Sequence, residues 1–209
     1  MISPPVIAFC GRARAGKSTM ARHCVDYLKS LGQPAIQVSF ATPIKAMLSA
    51  LGLSNEQLNG SQKEVLDPRF GRTPRYLMQT LGTEWGRGLV REDLWPSMAL
   101  DSGLDIVKVV DDMRFANELA AVRDRCGVVV RCNSAIRTLP RGAAAHRSEA
   151  SGVDLWQVDM DLDNDDPVEE NWLRIRWFVD DEIKKITERD RQCIHGPTSI
   201  DVSRVHQIR

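Results

Sequence analysis

The sequence predicts an α/β fold of three layers, a parallel sheet flanked by helices, and three observations support this prediction. The segment VIAFC (residues 6–10) is a continuous apolar run, which is typical of a strand covered on both faces. A helix pattern follows from Lys17, and Gly32 is expected to cap it. The segment AIQVSF (35–40) then predicts a second strand. A strand, a helix and a strand in this order form a βαβ unit, whose strands are parallel.

The sequence predicts a helical region between the second and third strands. Three helix-start signals occur there, namely Thr42-Pro43, Ser54 with Gln57, and Thr73-Pro74. Gly52 is expected to end the first of these helices. The last one contains RYLMQTLGTEWGRGLV (75–90), where the glycines of the second half weaken the helix prediction.

The rest of the chain predicts three more strands and two helices. The strands are DIVKVV (105–110), GVVVRC (127–132) and LWQVDMDL (155–162), and the helices are ANELAAVRDRC (116–126) and DPVEENWLRIRWFVDDEIKKITERD (166–190). We expect Trp172, Trp177 and Phe178 to hold the last helix against the core, or else to form an oligomer interface. Residues 133–152 show no periodicity and predict a long loop or lid, and the pattern ends again near residue 192.

Composition and charge limit the classes of function. A chain of 209 residues fits a single domain, here residues 1–191, followed by a flexible tail at 192–209. Lysine and arginine together number 28, as do aspartate and glutamate, so no overall positive charge attracts nucleic acid or an anionic membrane surface. Of the 28 cations, 21 are arginine. This excess indicates either anion recognition or only the coding composition of the source.

The cysteines and the first residues bear on compartment. Five cysteines without a C-x-x-C pair predict reduced thiols, which suit a cytoplasmic protein. Zinc is not expected, because CIH (193–195) has no second pair of ligands at metal spacing. The start MISPPVIAF has no basic leader and only a short apolar run, so we expect neither a signal peptide nor a membrane span.

The strongest motif is GRARAGKS (11–18), which matches G-x-x-x-x-G-K-[ST] between a strand and a helix. Such a loop, the P-loop, turns backbone N–H groups toward phosphate, and the helix N-terminus and a lysine add positive charge. A hydroxyl at the last position can bind the Mg²⁺ that bridges two phosphates. A glycine turn that only joins strand to helix is the structural alternative. The predicted nucleotide-binding residues are Gly11, Arg14, Ala15, Gly16, Lys17, Ser18 and Thr19.

A P-loop protein usually supplies an acidic residue for the metal at the end of a neighbouring strand. Asp111-Asp112 follow the third predicted strand. Without the P-loop, a solvated turn or a helix cap would explain them equally well. With it, we predict that one of the two serves the metal.

The arginines favour a kinase over other P-loop proteins. No N-K-x-D motif for guanine occurs, and the zero net charge does not favour a helicase or motor. Phosphoryl transfer needs cations around donor and acceptor, and it needs water to be excluded. Arginines occur in two places that meet these needs: Arg69, Arg72, Arg75 and Arg87 in the helical region, and Arg137, Arg141 and Arg147 in the predicted lid. Any one of them alone would be read as a solvated surface residue.

Five blocks of sequence resemble one known family. GRARAGKST, FATPIKAML, RYLMQTLGTEWGR, VVDDMRFANE and HRSE occur in the order found in phage-type deoxynucleoside monophosphate kinases, and the resemblance spans residues 6–164. It implies a P-loop kinase fold with a helical acceptor-binding insertion, about residues 42–100, and a lid, about 133–152. It also implies transfer of the γ-phosphoryl group of ATP to a deoxynucleoside monophosphate, which gives the diphosphate.

The resemblance also implies roles for individual residues. Ser18 and Asp112 would hold Mg²⁺, although Asp111 beside it leaves that choice open. Catalytic cations would be Lys17 and Arg114, together with Arg137 and Arg141 of the lid. The residues expected to contact the acceptor are Lys45, Arg75, Gln79, Trp85, Arg87, His146 and Glu149. Trp85 would stack on the base, or else pack as a core aromatic. On an unbroken helix Arg87 would lie about 120° round from Arg75, so a shared contact requires a bend.

The chemistry of the expected acceptor decides whether a catalytic base is needed. A 5′-phosphate is already ionised near neutral pH, its second pKa being about 6, so no general base is expected.

The expected partners are ATP, Mg²⁺ and small nucleotides in the cytoplasm, or in the host cytoplasm if a phage encodes the chain. We expect no membrane or nucleic-acid partner, and a homodimer is left open. The rivals are a kinase acting on a hydroxymethylated pyrimidine in DNA, and a nucleotide-binding regulatory protein with slow hydrolysis.

Overall fold

Five parallel strands form the sheet in this computed structural model, which describes residues 6–101, 106–136 and 157–194. The strands are β1 (Val6–Cys10), β2 (Ala35–Val38), β3 (Val107–Met113), β4 (Val128–Asn133) and β5 (Met160–Asp163). Their order across the sheet is β2-β3-β1-β4-β5, and every neighbouring pair is parallel. The predicted α/β class is therefore confirmed. The predicted strand at 105–110 is longer than expected, because β3 continues through Asp111 and Asp112 to Met113.

Seven α-helices accompany the described strands. They are α1 (Lys17–Ser30), α2 (Thr42–Ala50), α3 (Asn55–Asn59), α4 (Pro74–Gln79), α5 (Leu94–Leu100), α6 (Ala116–Arg123) and α7 (Val168–Ile194), with a 3₁₀ turn at Ser61–Glu64. The capping box of Ser54 and Gln57 is confirmed. The N-cap at Thr73 is also confirmed, because its hydroxyl accepts a hydrogen bond from the N–H of Tyr76. The cap at Thr42 is wrong by one residue: α2 begins with Thr42, and Ala41 precedes it without a side-chain cap.

Helices cover both faces of the sheet. Ile7 and Phe9 of β1 face a cluster that includes apolar residues of α1 and α7, whereas Ala8 and Cys10 face the side of α2, α5 and α6. This alternation explains why β1 is apolar at every position. Phe178 is buried as predicted, but Trp177 is wrong: it is 64% exposed on the outer face of α7. Within the described residues, none of the helices has the length and apolar character needed to cross a membrane.

The helix that begins at Pro74 widens after Gln79. From Thr80 to Val90 the backbone forms π-helical turns, and the N–H of Arg91 bonds to the carbonyl of Gly86, five residues earlier. The expected departure from a regular helix between Arg75 and Arg87 is therefore confirmed, as a widening. The glycines let this segment approach its neighbours closely, because a Cβ at position 86 would lie 2.2 Å from the ring of Trp95 on α5.

The close approach at Gly86 leads to a stability prediction. Gly86→Ala should lower the free energy of unfolding by about 2–3 kcal/mol, because the buried Trp95 ring has no space to move. Gly88→Ala is the matched control, since a Cβ there would lie 3.5 Å from its nearest neighbour, an ordinary contact. Urea unfolding of both variants and the wild type measures the difference. Equal stability of the two variants would contradict this account of the packing.

Candidate active site

The P-loop joins β1 to α1, and its first residue packs against the C-terminal end of β4. Gly11 has φ 133°, and a Cβ on it would lie 2.2 Å from the carbonyl oxygen of Cys132, so only glycine fits there. Gly16 has φ 85° and directly precedes α1. The Lys17 ammonium donates to the carbonyl oxygens of Gly11 and Arg12 at 2.9 and 2.8 Å. The sequence motif thus forms a tight loop closed by its own lysine.

A buried asparagine fixes this loop from outside the motif. Asn164, which follows β5 and is 2% exposed, donates through Nδ2 to the carbonyl oxygen of Ala15 at 2.7 Å. Its own N–H bonds to the carbonyl of Asn133 at the end of β4. No sequence motif marks Asn164, because its role depends on β5 lying beside β4.

One cleft of about 640 Å³ extends from the P-loop to the helical region. Most of the predicted site residues line it: Arg14, Gly16, Lys17, Ser18, Thr19, Lys45, Arg75, Gln79, Arg87, Asp112 and Arg114. Gly11 and Ala15 belong to the loop but are buried and do not line the cleft. The remaining lid predictions, Arg137, Arg141, His146 and Glu149, lie outside the described residues, as does most of the segment predicted as a lid.

Three predicted residues lie away from the cleft. Trp85 is 39% exposed and packs against Trp95 with ring centroids 6.1 Å apart, so it neither lines the cleft nor serves as a core aromatic. Trp95 has that core position instead. Arg69 pairs with Asp67 at 2.6 Å, and the guanidinium of Arg72 lies over the ring of Tyr76. Both arginines therefore have local contacts within the helical region.

The two adjacent aspartates have different surroundings. Asp112 accepts hydrogen bonds from the Ser39 hydroxyl and from the N–H groups of Phe40 and Ala41, so both of its oxygens hold the loop after β2. Asp111 accepts a hydrogen bond from Gln37 at 2.5 Å, and the side chains of Gln37 and Ser18 both act to lower its pKa. Burial, with the charge of Asp112, raises the pKa of Asp111. These contacts favour Asp111, rather than the predicted Asp112, as the partner of Ser18.

The oxygens of Ser18 and Asp111 fit a Mg²⁺ ion. Beside a nucleotide, Mg²⁺ is usually held by one or two carboxylates together with phosphate oxygens and water. Among the residues that the structure describes, no group of three His, Cys, Asp or Glu side chains converges as a metal site. The donor set thus fits a metal bound jointly with phosphate and gives no closed protein cage.

Four cations of the cleft lie close to one another. Burial lowers the pKa of Lys63, and the charges of Lys45, Arg75 and Arg114 lower it further, so the four side chains share one electrostatic environment. All four line the cleft. Two have neighbours outside it, since Lys45 donates to Asn59 and Arg75 pairs with Glu64. Lys63 was missed by sequence reasoning, because it lies in a short 3₁₀ turn outside every motif.

A buried carboxylate lies behind these cations. Glu118 on α6 is 2% exposed and pairs with Arg87 at 2.5 Å. Burial, with the charge of Asp112, raises the pKa of Glu118 to about 7, while Arg87 and two backbone N–H groups act in the opposite direction. Glu118 belongs to the FANE block, yet sequence reasoning gave it no role of its own.

The raised pKa of Glu118 leads to a prediction about stability and pH. In the folded state Glu118 keeps its proton up to about pH 7, whereas in the unfolded state it loses the proton near its ordinary pKa of 4.5. The free energy of unfolding of the wild type therefore falls as the pH rises between these two values. Glu118→Gln removes the titration. The free energy of unfolding of Glu118→Gln, relative to that of wild type, should therefore increase by an amount on the order of 3 kcal/mol as the pH is raised from about 4.5 to about 7.5. Urea unfolding across this range measures it, and a flat difference would contradict the raised pKa.

The described residues form a parallel sheet flanked by helices, with a P-loop between β1 and α1, and comparisons with solved structures find kinases among the similar ones. Similar structures include an APS kinase of Mycobacterium tuberculosis in complex with AMPPNP and APS (16% identity, TM-score 0.49, covering 86% of this chain and 99% of that one). A shikimate kinase from Aquifex aeolicus is also similar (16% identity, TM-score 0.46, 85% and 98% covered). No protein-family model and no curated protein matches the chain. At these identities and TM-scores the likeness gives neither a function nor a substrate for this chain.

Proposed function

We propose that this protein is a kinase that transfers the γ-phosphoryl group of ATP to the 5′-phosphate of a deoxynucleoside monophosphate. The observation that carries this proposal is the continuity of one cleft. The P-loop lines this cleft together with four cations that lie close to one another, namely Lys45, Lys63, Arg75 and Arg114. Transfer between two anions requires cations around both of them, since donor and acceptor otherwise repel each other.

The donor end would hold the phosphates of ATP. The N-terminus of α1 would add the partial positive charge of a helix end, and the Lys17 ammonium lies within the loop. Ser18 and Asp111 would hold Mg²⁺, which supplies positive charge to the phosphates when it is bound. Asp112 would act at a distance by fixing the loop after β2.

The acceptor end suits a nucleotide better than a small phosphorylated metabolite. Beside its cations, Ile44, Leu58 and Met78 supply apolar surface, and Gln79 supplies an amide that can donate and accept hydrogen bonds. A base needs both kinds of surface. The preference for a deoxyribonucleotide rests on the family resemblance alone.

This proposal needs no general base. The acceptor phosphate is already ionised at neutral pH, so positioning and charge neutralisation can supply the catalysis. An alcohol acceptor, such as a hydroxymethyl group in DNA, would need a base as well. Asp111 would be the first candidate for that base, since it lies beside Ser18 with a raised pKa.

One experiment separates the three functions. The protein is incubated with ATP, Mg²⁺ and each of the four common deoxynucleoside monophosphates, each of the four ribonucleoside monophosphates, or a duplex containing 5-hydroxymethyluracil, and the products are separated by chromatography. We expect a deoxynucleoside diphosphate. Phosphate appearing only on the duplex would support the DNA kinase, and release of inorganic phosphate alone would support the regulatory protein. Either result would overturn the proposal.

A further inference from the structure

Glu118 contacts two separate walls of the cleft through its two carboxylate oxygens. Oε1 accepts a hydrogen bond from Nη2 of Arg87, which lies in the π-helical segment. Oε2 accepts from the backbone N–H groups of Arg114 and Phe115, at 2.6 and 3.0 Å, just beyond β3. A single buried side chain therefore connects the helical region to the end of the central strands.

These contacts leave Arg87 little freedom. Its Nη1 donates to the carbonyl oxygen of Gly82 at 3.2 Å, and its guanidinium carbon lies 4.0 Å from the centre of the Phe115 ring. An arginine held on three sides loses little further entropy when it binds an anion, so such a residue is prepared for its ligand. Only 13% of this side chain is exposed, yet it lines the cleft.

Stability alone does not explain the arrangement well. Within the part of the chain that the structure describes, the buried Nε of Arg87 has no hydrogen-bond partner. Glu118 is also buried beside the like charge of Asp112. Both features cost free energy of folding, and buried ion pairs often contribute less than apolar residues of similar volume would. Such costs are typical of sites that serve binding.

We propose that Glu118 is a positioning residue for the acceptor: it holds Arg87 and the Arg114 backbone so that these two cations face the acceptor phosphate together. This inference rests on the proposed function and assigns Glu118 no contact with the transferred group. Removing its charge should loosen Arg87 and weaken acceptor binding. The ATP site should change little, because the P-loop is held by other contacts, among them that of Asn164.

The test compares Glu118→Gln with wild type at pH 8, in two measurements. Isothermal titration calorimetry gives the dissociation constants of dTMP and dGMP, and steady-state kinetics gives KM for the mononucleotide and for ATP. We expect acceptor binding to weaken about tenfold and KM for ATP to stay within about twofold, since a hydrogen bond to a charged group is at stake. The matched control is Glu182→Gln, a buried glutamate that pairs with Lys185 on α7. It should behave as wild type.

A double variant tests whether Glu118 acts through Arg87. If it does, the loss of mononucleotide binding in Arg87→Gln with Glu118→Gln should be smaller than the sum of the losses in the two single variants. Additive losses would overturn the inference, as would unchanged acceptor binding in Glu118→Gln or an equal loss of ATP and acceptor affinity. Should Glu118→Gln not fold, Glu118→Asp takes its place, because its shorter side chain cannot span both walls.

The inference and the proposed function fail in different ways. If wild type binds mononucleotides without phosphorylating them, the proposed function is wrong, while the calorimetry still decides the role of Glu118. If wild type phosphorylates them and Glu118→Gln binds them normally, only the inference is wrong. If wild type binds no mononucleotide, both are wrong.

Discussion

Lys17→Met is expected to lower the rate of phosphoryl transfer about 10³-fold or more while leaving the fold intact. Lys17 is 7% exposed, and its ammonium lies inside the P-loop in direct contact with the carbonyl oxygens of Gly11 and Arg12. Methionine keeps the length and the apolar stem, so what is lost is a positive charge that would otherwise meet developing negative charge on the phosphates. Removing one such group typically costs 10²–10³ in rate, and more where the charge is concentrated on a phosphoryl group.

The matched control for this prediction lies on the same helix. Lys29 is exposed in the last turn of α1, so Lys29→Met should retain the wild-type rate. The rate is measured by single-turnover transfer from labelled ATP to a mononucleotide, and thermal unfolding checks the fold of both variants. A Lys17→Met protein that folds and keeps more than about a tenth of the rate would contradict a P-loop that acts on transferred phosphate.

Asp111→Asn is expected to lower kcat about 10²-fold and to raise stability. Asp111 contacts the Ser18 hydroxyl, so loss of its charge should weaken Mg²⁺ binding and the neutralisation of the phosphates. The folded state disfavours this same charge, because burial and Asp112 raise the pKa of Asp111. Replacing the charge with a neutral amide should therefore increase the free energy of unfolding at neutral pH. A gain in stability with a loss of activity is the sign of a residue kept for function.

Asp112→Asn should behave in the opposite way. Asp112 accepts hydrogen bonds from the N–H groups of Phe40 and Ala41 and from the Ser39 hydroxyl. An asparagine would replace one of the two accepting oxygens with an N–H₂ group, which cannot accept a hydrogen bond. We expect a loss of about 1–3 kcal/mol in the free energy of unfolding. Activity should fall less than in Asp111→Asn.

Urea unfolding and kcat at saturating Mg²⁺, measured on both aspartate variants, decide between the two assignments. The reverse pattern, a stable Asp112→Asn protein with the larger loss of activity, would restore the assignment to Asp112 that the family resemblance implies. Equal losses of activity would show that both aspartates contribute to binding the metal.

Local signals were enough to predict the elements and the P-loop. The apolar strand at 6–10, the glycine pattern at 11–16 and the capping signals are each contained in a few neighbouring residues, so no tertiary information is needed to read them. The errors are also local. The boundary of β3 was missed because a pair of aspartates resembles the end of a strand. In the structure Asp111 accepts a hydrogen bond from Gln37 and Asp112 accepts one from the N–H of Phe40, and both remain within β3.

The acceptor side was predicted only in part. Motifs indicated Lys45, Arg75 and Arg87, and the cleft brings them together. Lys63 and Glu118 were missed because their importance depends on neighbours 18 or more residues away in sequence, such as Lys45 and Arg87. Trp85 was assigned to the wrong place, because the direction of a side chain on a widened helix depends on the width of its turns.

The sequence by itself determined the kind of sheet, the order of its helices and the place where a nucleotide phosphate would bind, because each depends on contacts between near neighbours along the chain. The tertiary structure alone decided which aspartate lies beside Ser18, which cations share the cleft with the P-loop, and which buried carboxylate holds Arg87. These choices depend on distances between β3, α6 and the helical region, and electrostatic interaction depends on distance and burial rather than on spacing along the chain.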